Sequence, residues 1–391
     1  METIKLLFAG DFCIRGAGVN KLDDKTIADV ASPIAEIVRE HDLSVVNVET
    51  VFTEELAPVK KSGPALSSPV RALTLLRKMG FSAGALANNH VCDQGREIGL
   101  KSISRIREAG IKTFGCGETL KAANEPLRVQ IKGKKISVFN FAENEFTAAG
   151  EETFGFAPID FYANGNLVRK EKEEADYVFV LLHAGNETCP FPRSGVKKLS
   201  YHLIESGADG VVISHPHTPQ GYEIYMEKPI AYSMGNFFMT KRNDKRELWN
   251  LGYMSSITID ENGLVSFAPI PYEFANFGEW FKVLRGDEKA AFDTYLKELC
   301  KIISDTSESD YKRLEYAWSL LYMKEIKNGF LAENGGDMTY DGELMLFTKN
   351  AFSCESHAEL MRNFFAILTT NRLDEFEAEK ERIRALQKVP F

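Results

Sequence analysis

Along the first two-thirds of the chain, short apolar runs alternate with stretches whose apolar positions recur every three to four residues. A short run bounded by turn residues reads as a strand, and the longer period reads as a helix. The runs predict strands over Ile4–Ala9, Ser44–Val48, Ser82–Leu86, Lys135–Phe141, Tyr177–Leu182 and Gly210–Ser214, each ending in polar residues. The segments between them predict helices over Asp24–Arg39, Pro69–Met79, Arg96–Ala109 and Lys197–Ser206, the last three closed by Gly80, Gly110 and Gly207. A glycine just past the last apolar turn supplies the left-handed stop of a helix. From Tyr222 the pattern changes to strands joined by tight turns, with Glu261-Asn262-Gly263 as a hairpin turn, and this predicts a second, more antiparallel sheet. After about Phe281 the periodicity is helical throughout. The expected fold is α/β: a four-layer α/β/β/α sandwich of two packed mixed sheets over residues 1–280, with a helical C-terminal extension over 281–391 packed on that core.

With 391 residues, 44% of them apolar, the chain can bury a large core. A formal charge of −9 removes the Lys/Arg field that broad nucleic-acid or anionic-membrane binding needs, and favours a small anionic or neutral substrate over a polymer bound through its charge. The apolar run in METIKLLFAGDF is too short for a signal peptide, and no later run approaches a membrane span, so the expectation is a cytoplasmic protein without membrane insertion. Six scattered cysteines without CxxC spacing read as reduced thiols.

The chemistry gathers in five polar clusters that follow strand candidates. They are Gly10-Asp11 with Arg15, Asn47-Val48-Glu49, Asn88-Asn89-His90 before Asp93, His183-Ala184-Gly185-Asn186-Glu187, and His215-Pro216-His217 with Gln220. Singly, each has an ordinary reading: a turn former, a solvated strand-end carboxylate, a buried structural histidine. Together they are more than that, because four of the seven histidines (His90, His183, His215, His217), Asp11 and Glu49 all fall at strand ends, where open α/β sheets gather their ligand sites. His41, His202 and His357 sit in amphipathic helical segments and read as structural. Carboxylate, imidazole and amide donors without thiolate suit divalent Mn, Fe or Zn.

The order GD…NVE…NNHxxDxG…HxGxE…HPHxxQ…YSMGNF, over roughly residues 4–240, resembles the CapA family, named for capsule and poly-γ-glutamate synthesis, which is similar to the calcineurin-like metallophosphoesterases. The resemblance implies two divalent metal ions, one held by Asp11, Glu49 and His217 and the other by Glu49, Asn89, His183 and His215, with Glu49 bridging. It implies a metal-dependent hydrolase, phosphoesterase-like, in which His90 stands near the leaving-group oxygen; Asn47 and Arg15 are further catalytic candidates, Arg15 either holding a phosphate or carboxylate oxygen or making a surface salt bridge. Cys13 replaces the histidine that the phosphoesterases usually carry two residues after the first Asp, and Glu49 replaces their Asp. The implied substrate is a small phosphoester or γ-glutamyl compound. Amide hydrolysis and a non-catalytic place in a capsule-synthesis complex, with partner proteins, are the alternatives.

Overall fold

The computed structural model describes residues 2–16, 19, 22–240, 247–274, 281–330 and 342–391. The chain first forms β1 (Ile4–Cys13), α1 (Asp24–Arg39), β2 (Leu43–Val48), α2 (Ala72–Met79), β3 (Ala83–Ala85), α3 (Gly95–Glu108) and β4 (Lys112–Phe114), each helix returning the chain so that the next strand runs parallel to the last. A short β5 (Cys116–Gly117) and α4 (Leu120–Ala123) lead into β6 (Leu127–Ile131), β7 (Lys134–Ala142), β8 (Gly155–Phe156), α5 (Phe161–Lys172), β9 (Tyr177–His183), α6 (Ser194–Glu205) and β10 (Gly210–Ser214). Then come β11 (Tyr222–Tyr225), β12 (Lys228–Ala231), β13 (Asn236–Met239), β14 (Leu251–Ile259), β15 (Val265–Phe274) and β16 (Phe281–Val283). The chain closes with α7 (Gly286–Ser304), α8 (Glu308–Phe330), α9 (Gly342–Ser353), α10 (Glu355–Thr369) and α11 (Glu377–Leu386).

Two mixed sheets result. One has the order β16-β15-β14-β1-β2-β3-β4, with β13 also paired to β1; the other has the order β11-β12-β10-β9-β7-β6. The strands after Tyr222 therefore do not build a sheet of their own. β12 joins β10 in parallel and carries β11 with it, while β14 pairs antiparallel with the first half of β1 and β13 pairs parallel with its end. The reason is that β1 and β10 would otherwise each present an unpaired backbone edge, and these late strands satisfy it. The hairpin expected at Glu261-Asn262-Gly263 does join β14 to β15, with Asp260 Oδ1 accepting from the backbone of Asn262 and Leu264.

Side-chain direction assigns the layers. Leu6, Phe8, Val45, Ala83 and Ala85 of one sheet share a buried cluster with Val138, Phe179, Leu181 and Val212 of the other, so these faces meet, with Phe8 and Phe179 at 6.2 Å between ring centroids. The alternate residues Leu7, Ala9, Val46 and Val48 pack with Ile27, Ile34, Leu75 and Leu76 of α1 and α2, and Val178 and Val180 pack with Val196, Leu199 and Leu203 of α6. Strands covered on both faces lose the polar alternation of a half-exposed strand, which is why β1 and β2 read as continuous apolar runs. The layers are those of an α/β/β/α sandwich. Phe292, Leu296 and Leu299 of α7 and Leu314 and Trp318 of α8 belong to the inter-sheet cluster, and α7 passes so close to the chain before β11 that a Cβ on Gly221 would sit 2.7 Å from the Cys300 nitrogen. The boundary expected at residue 280 lies outside the described residues; just beyond it, β16 is still the edge strand of the first sheet. Among the described residues no helix is long and apolar enough to cross a membrane.

Candidate metal centre

Asp11 reaches the centre through an irregularity. The pairing of β1 with β2 slips between Ala9 and Asp11, and its pairing with β13 slips between Asp11 and Phe12, so the strand is re-aimed where its carboxylate is needed. Gly10 permits this, since a Cβ there would sit 2.0 Å from the carbonyl oxygen of Gly235. Asn47 and Glu49 leave the end of β2, His183 is the last residue of β9, and His215 and His217 follow β10 directly. Both of these last histidines have positive φ, 103° for His215 and 58° for His217. Non-glycine residues in that region store strain of order 1–3 kcal/mol each, and the loop accepts it to turn two imidazoles inward.

These side chains converge. His183 Nε2 lies 3.1 Å from His215 Nδ1, 3.0 Å from Asn89 Oδ1 and 3.5 Å from Glu49 Oε1. His217 Nδ1 lies 3.3 Å from Asp11 Oδ2, and its Nε2 is 3.9 Å from Glu49 Oε1. All six residues expected as ligands, Asp11, Glu49, Asn89, His183, His215 and His217, therefore share one buried cluster. Donor atoms of Glu49, His215 and His217 fall within 4.8 Å of one another, as do those of Asp11, Glu49 and His183, sets that cut across the partition implied by the resemblance.

Glu49 is the most informative member. It is fully buried, and neither carboxylate oxygen has a hydrogen-bond partner. Burial, with Asp11 beside it, pushes its carboxyl well above the usual glutamate range. Burial also opposes the charge of Asp11, but His217, His183 and Asn47 hold its carboxyl well below the usual range. Burial pushes His183 and His215 down to about 4, so both are neutral imidazoles at neutral pH; burial opposes the charge on His217 as well, but Glu49 and Asp11 raise it to about 10. A buried carboxylate with two orphaned oxygens inside a ring of imidazoles is the donor set of a divalent cation, and the residues present fit one.

Around the six stands a shell that fixes them. Asn47 Nδ2 donates to Asp11 Oδ1 at 2.6 Å, and Asn88 Nδ2 in turn donates to Asn47 Oδ1 at 3.2 Å. Asn236 Oδ1 faces His217 Nδ1 at 2.8 Å, which aims Nε2 at Glu49, and the Trp249 ring packs on the imidazole at 4.7 Å. Asn89 Nδ2 donates to Glu145 Oε2 at 2.6 Å, turning its carbonyl oxygen toward His183. His90 Nδ1 contacts Asp93 Oδ2 at 2.6 Å, and its Nε2 is 3.7 Å from Glu49 Oε1. Lys61 pairs with Asp93 on the other side and lies 3.2 Å from His90 Nδ1. Burial, with this lysine, pushes His90 down to about 4. A cavity of about 130 Å³ opens onto the cluster, lined by Arg15, His90, Glu187, His217 and Trp249 among others. Arg15 is anchored by its backbone to Thr240 Oγ1 at 2.8 Å. Asn47, expected to act on the substrate, faces Asp11.

Sequence reasoning did not single out Glu145, Lys61 or Trp249. Glu145 carried a usable signal, because Glu143-Asn144-Glu145 follows β7 as the other clusters follow their strands. Of the three remaining histidines, His41 bonds Ile37 O and Ser256 Oγ, His202 stacks on Phe161, and His357 lies beside Tyr322 and Asn350.

Over residues 5–241 the chain matches the family described as "Bacterial capsule synthesis protein PGA_cap". It is 28% identical over 180 residues to the capsule biosynthesis protein CapA of Bacillus anthracis, covering 44% of this chain and 43% of that one. It is 26% identical over 241 residues to the PGA biosynthesis protein CapA of Bacillus subtilis (strain 168), covering 60% and 63%. In both cases the match spans less than two thirds of the relative's own length. Among solved structures, a putative 5'-nucleotidase from Staphylococcus aureus in complex with alpha-ketoglutarate aligns with a TM-score of 0.46 at 12% identity, covering 76% of this chain and 58% of that one. The family match takes in the segments that carry Asp11, Glu49, Asn89, His183, His215 and His217, and by it the chain belongs to the bacterial capsule synthesis family PGA_cap.

Proposed function

We propose that the chain is a metal-dependent hydrolase of phosphoesterase type, holding two divalent cations (Mn, Fe or Zn) and acting on a small anionic substrate in the synthesis of a capsular or poly-γ-glutamate polymer. The observation that carries this reading is the buried Glu49 carboxylate, both of whose oxygens lack a hydrogen-bond partner, ringed by Asp11, His183, His215 and His217. Cations bound there supply the charge that polarises the attacked centre and acidifies the attacking water. The chain's own residues do the rest. Asp11, Glu49, Asn89, His183, His215 and His217 hold the metal, while Asn47, Asn236 and Glu145 fix the orientation of Asp11, His217 and Asn89. His90, its Nδ1 on Asp93, lines the cavity with Nε2 beside the place of the leaving oxygen. Arg15, at the cavity mouth, binds a substrate oxyanion. The name of the Bacillus subtilis relative, a PGA biosynthesis protein, points to γ-glutamyl compounds and to partners in capsule assembly.

Two experiments test it. Metal content of the purified protein is measured for the wild type and for Asp11→Ala and His215→Ala, and the three are assayed on a phosphodiester and on a γ-glutamyl substrate. Metal in the wild type, lost from both variants together with phosphodiester hydrolysis, supports the reading. Activity on the γ-glutamyl substrate alone reassigns the reaction to amide hydrolysis, and full metal retention and activity in both variants ends the metal reading. Metal without any hydrolysis points to a non-catalytic component of a synthesis complex.

A further inference from the structure

Apart from the centre built around Glu49, a second group of metal-ligating side chains gathers where α10 meets the chain after β7. Glu145, Cys354 and His357 each bring a donor atom within 4.8 Å of the other two, and His357 Nδ1 lies 3.8 Å from Glu145 Oε1. The edges of a tetrahedral zinc site with bonds of about 2.0–2.3 Å come to about 3.3–3.5 Å, so small side-chain shifts close this set on one ion. Cys354 is the N-cap of α10 and His357 stands three residues on, a Cys-x-x-His spacing that brings both side chains to one side of the helix start. Both lie outside residues 5–241, the segment that matches the family. The His357 side chain, 22% exposed, opens the group to solvent.

The surroundings favour a cation over a simple ion pair. Asn350 Nδ2 donates to Glu145 Oε1 at 2.9 Å and to His357 Nδ1 at 3.1 Å, so Nδ1 turns a lone pair into the group, and the ring proton stands on Nε2, which faces Tyr322 Oη at 3.1 Å. A ligating imidazole is held in this way, one nitrogen toward the metal and the other N–H on an outer partner. Asn350 is 8% exposed, and its Oδ1 has no partner. Turned half a revolution about its last bond, the amide presents that oxygen to the same carboxylate and the same lone pair; a cation between them makes this orientation favourable, and the oxygen becomes a fourth donor. Cys354 Sγ contacts Glu143 Oε2 at 3.5 Å, a long contact that its thiolate gives up to a metal. From this we infer that Glu145, Cys354 and His357, with Asn350, form a further cation site, suited to zinc(II) by its thiolate, imidazole and oxygen donors. It pins α9 and α10 to the chain after β7. Glu145 gives Oε1 to this site and Oε2 to Asn89, so zinc here also steadies a residue of the Glu49 cluster. Nothing in the inference depends on hydrolysis.

The thiolate separates this site from the Glu49 cluster, whose donors are carboxylate, imidazole and amide. The full chain carrying His215→Ala, which impairs that cluster, is titrated with cobalt(II) and then with zinc(II). One equivalent of cobalt is expected to give a thiolate-to-metal charge-transfer band in the near ultraviolet, bleached by zinc, and zinc is expected to raise the melting midpoint. Both effects are expected to vanish when Cys354→Ser or His357→Asn is added, and to persist with Cys92→Ser. Asn350→Leu is expected to weaken zinc by about tenfold or more. In the His215→Ala chain itself, zinc is expected to slow alkylation of Cys354, read by peptide mass spectrometry, which requires no second substitution. Absence of the band overturns the site, as does a band that survives Cys354→Ser. A band that disappears with Cys13→Ser, or protection of Cys13 in place of Cys354, puts the thiolate at the other centre and overturns it as well. Zinc affinity unchanged in Asn350→Leu overturns the part given to Asn350. Metal lost from the Glu49 centre in Asp11→Ala, His215→Ala or Glu49→Gln is accordingly counted above one residual equivalent of zinc, which Cys354→Ser removes.

Discussion

Glu49 buries a carboxylate that no donor in the protein satisfies, so in the metal-free protein it is a liability as well as a ligand. Breaking such a charge free of compensation costs several kcal/mol in buried sites, and neutralising it removes that cost. Glu49→Gln is therefore expected to abolish metal retention, read by elemental analysis, and at the same time to raise the melting midpoint of the chelator-treated protein above that of chelator-treated wild type. A fall in that midpoint would mean that Glu49 is satisfied without metal. The shell residues follow a different rule, because they act on ligands rather than on the cation. Asn236→Ala frees the His217 ring, and Asn47→Ala frees the Asp11 carboxylate; each is expected to weaken metal affinity by about 10–100-fold, measured by competition with a chromogenic chelator, while leaving the fold intact. At this scale the sequence was legible for the six residues that cluster, since each lies close to the C-terminal end of a strand. It was not legible for Lys61, whose role depends on a partner 32 positions away that only the folded chain brings within reach.

The elements that carry these residues were readable to the extent that their apolar periodicity was strong. α1 matches its expected span, and Gly80, Gly110 and Gly207 follow α2, α3 and α6 with φ of 85°, 84° and 113°. β4, with three residues, is too short to show a pattern, and α5, FYANGNLVRKEK, carries two asparagines and a glycine that mask a helix held by its Asp160 cap and by packing of Val168. The allocation of β11–β16 to two different sheets could not be read from alternation, because it depends on which edges the earlier strands leave unpaired. The same holds for the irregularity at Gly10, which lets β1 pair with β13 as well as β2. Gly10→Ala places a methyl group against the Gly235 carbonyl, a backbone atom that cannot swing aside. The expected cost is about 1–3 kcal/mol of stability by denaturant melt, together with weakened metal binding, because Asp11 is the next residue. A variant with wild-type stability and metal content would show that the strand can re-register here.

At the scale of the whole molecule, one buried ion pair joins the late helices to the sandwich. Arg193, only 8% exposed, pairs with Glu143 after β7 and, at 2.6 Å, with Glu359 of α10; Ser356 of α10 also donates to Glu143. Burial opposes the charge on Glu143, but Arg193, His215 and Ser356 hold its carboxyl below the usual glutamate range. A carboxyl depressed in the folded state contributes stability that is present above its unfolded value of ~4.3 and is lost as pH falls through the folded value. Wild type is thus expected to lose stability progressively as the pH drops below ~4.3, with the helices that dock through Glu143 weakened first. Arg193→Met removes the compensation and leaves Glu143 buried beside Glu355, so it is expected to cost about 3–5 kcal/mol at pH 7. Its pH dependence should run the other way, because protonating the now unpaired Glu143 relieves the penalty: the deficit against wild type narrows on acidification from pH 7 to pH 4. Melting midpoints of the two proteins across that range decide it, with limited proteolysis reporting whether α10 is released. A deficit that is constant with pH would mean that Arg193 stabilises through packing alone, and that the late helices are held by the apolar contacts of α7 and α8.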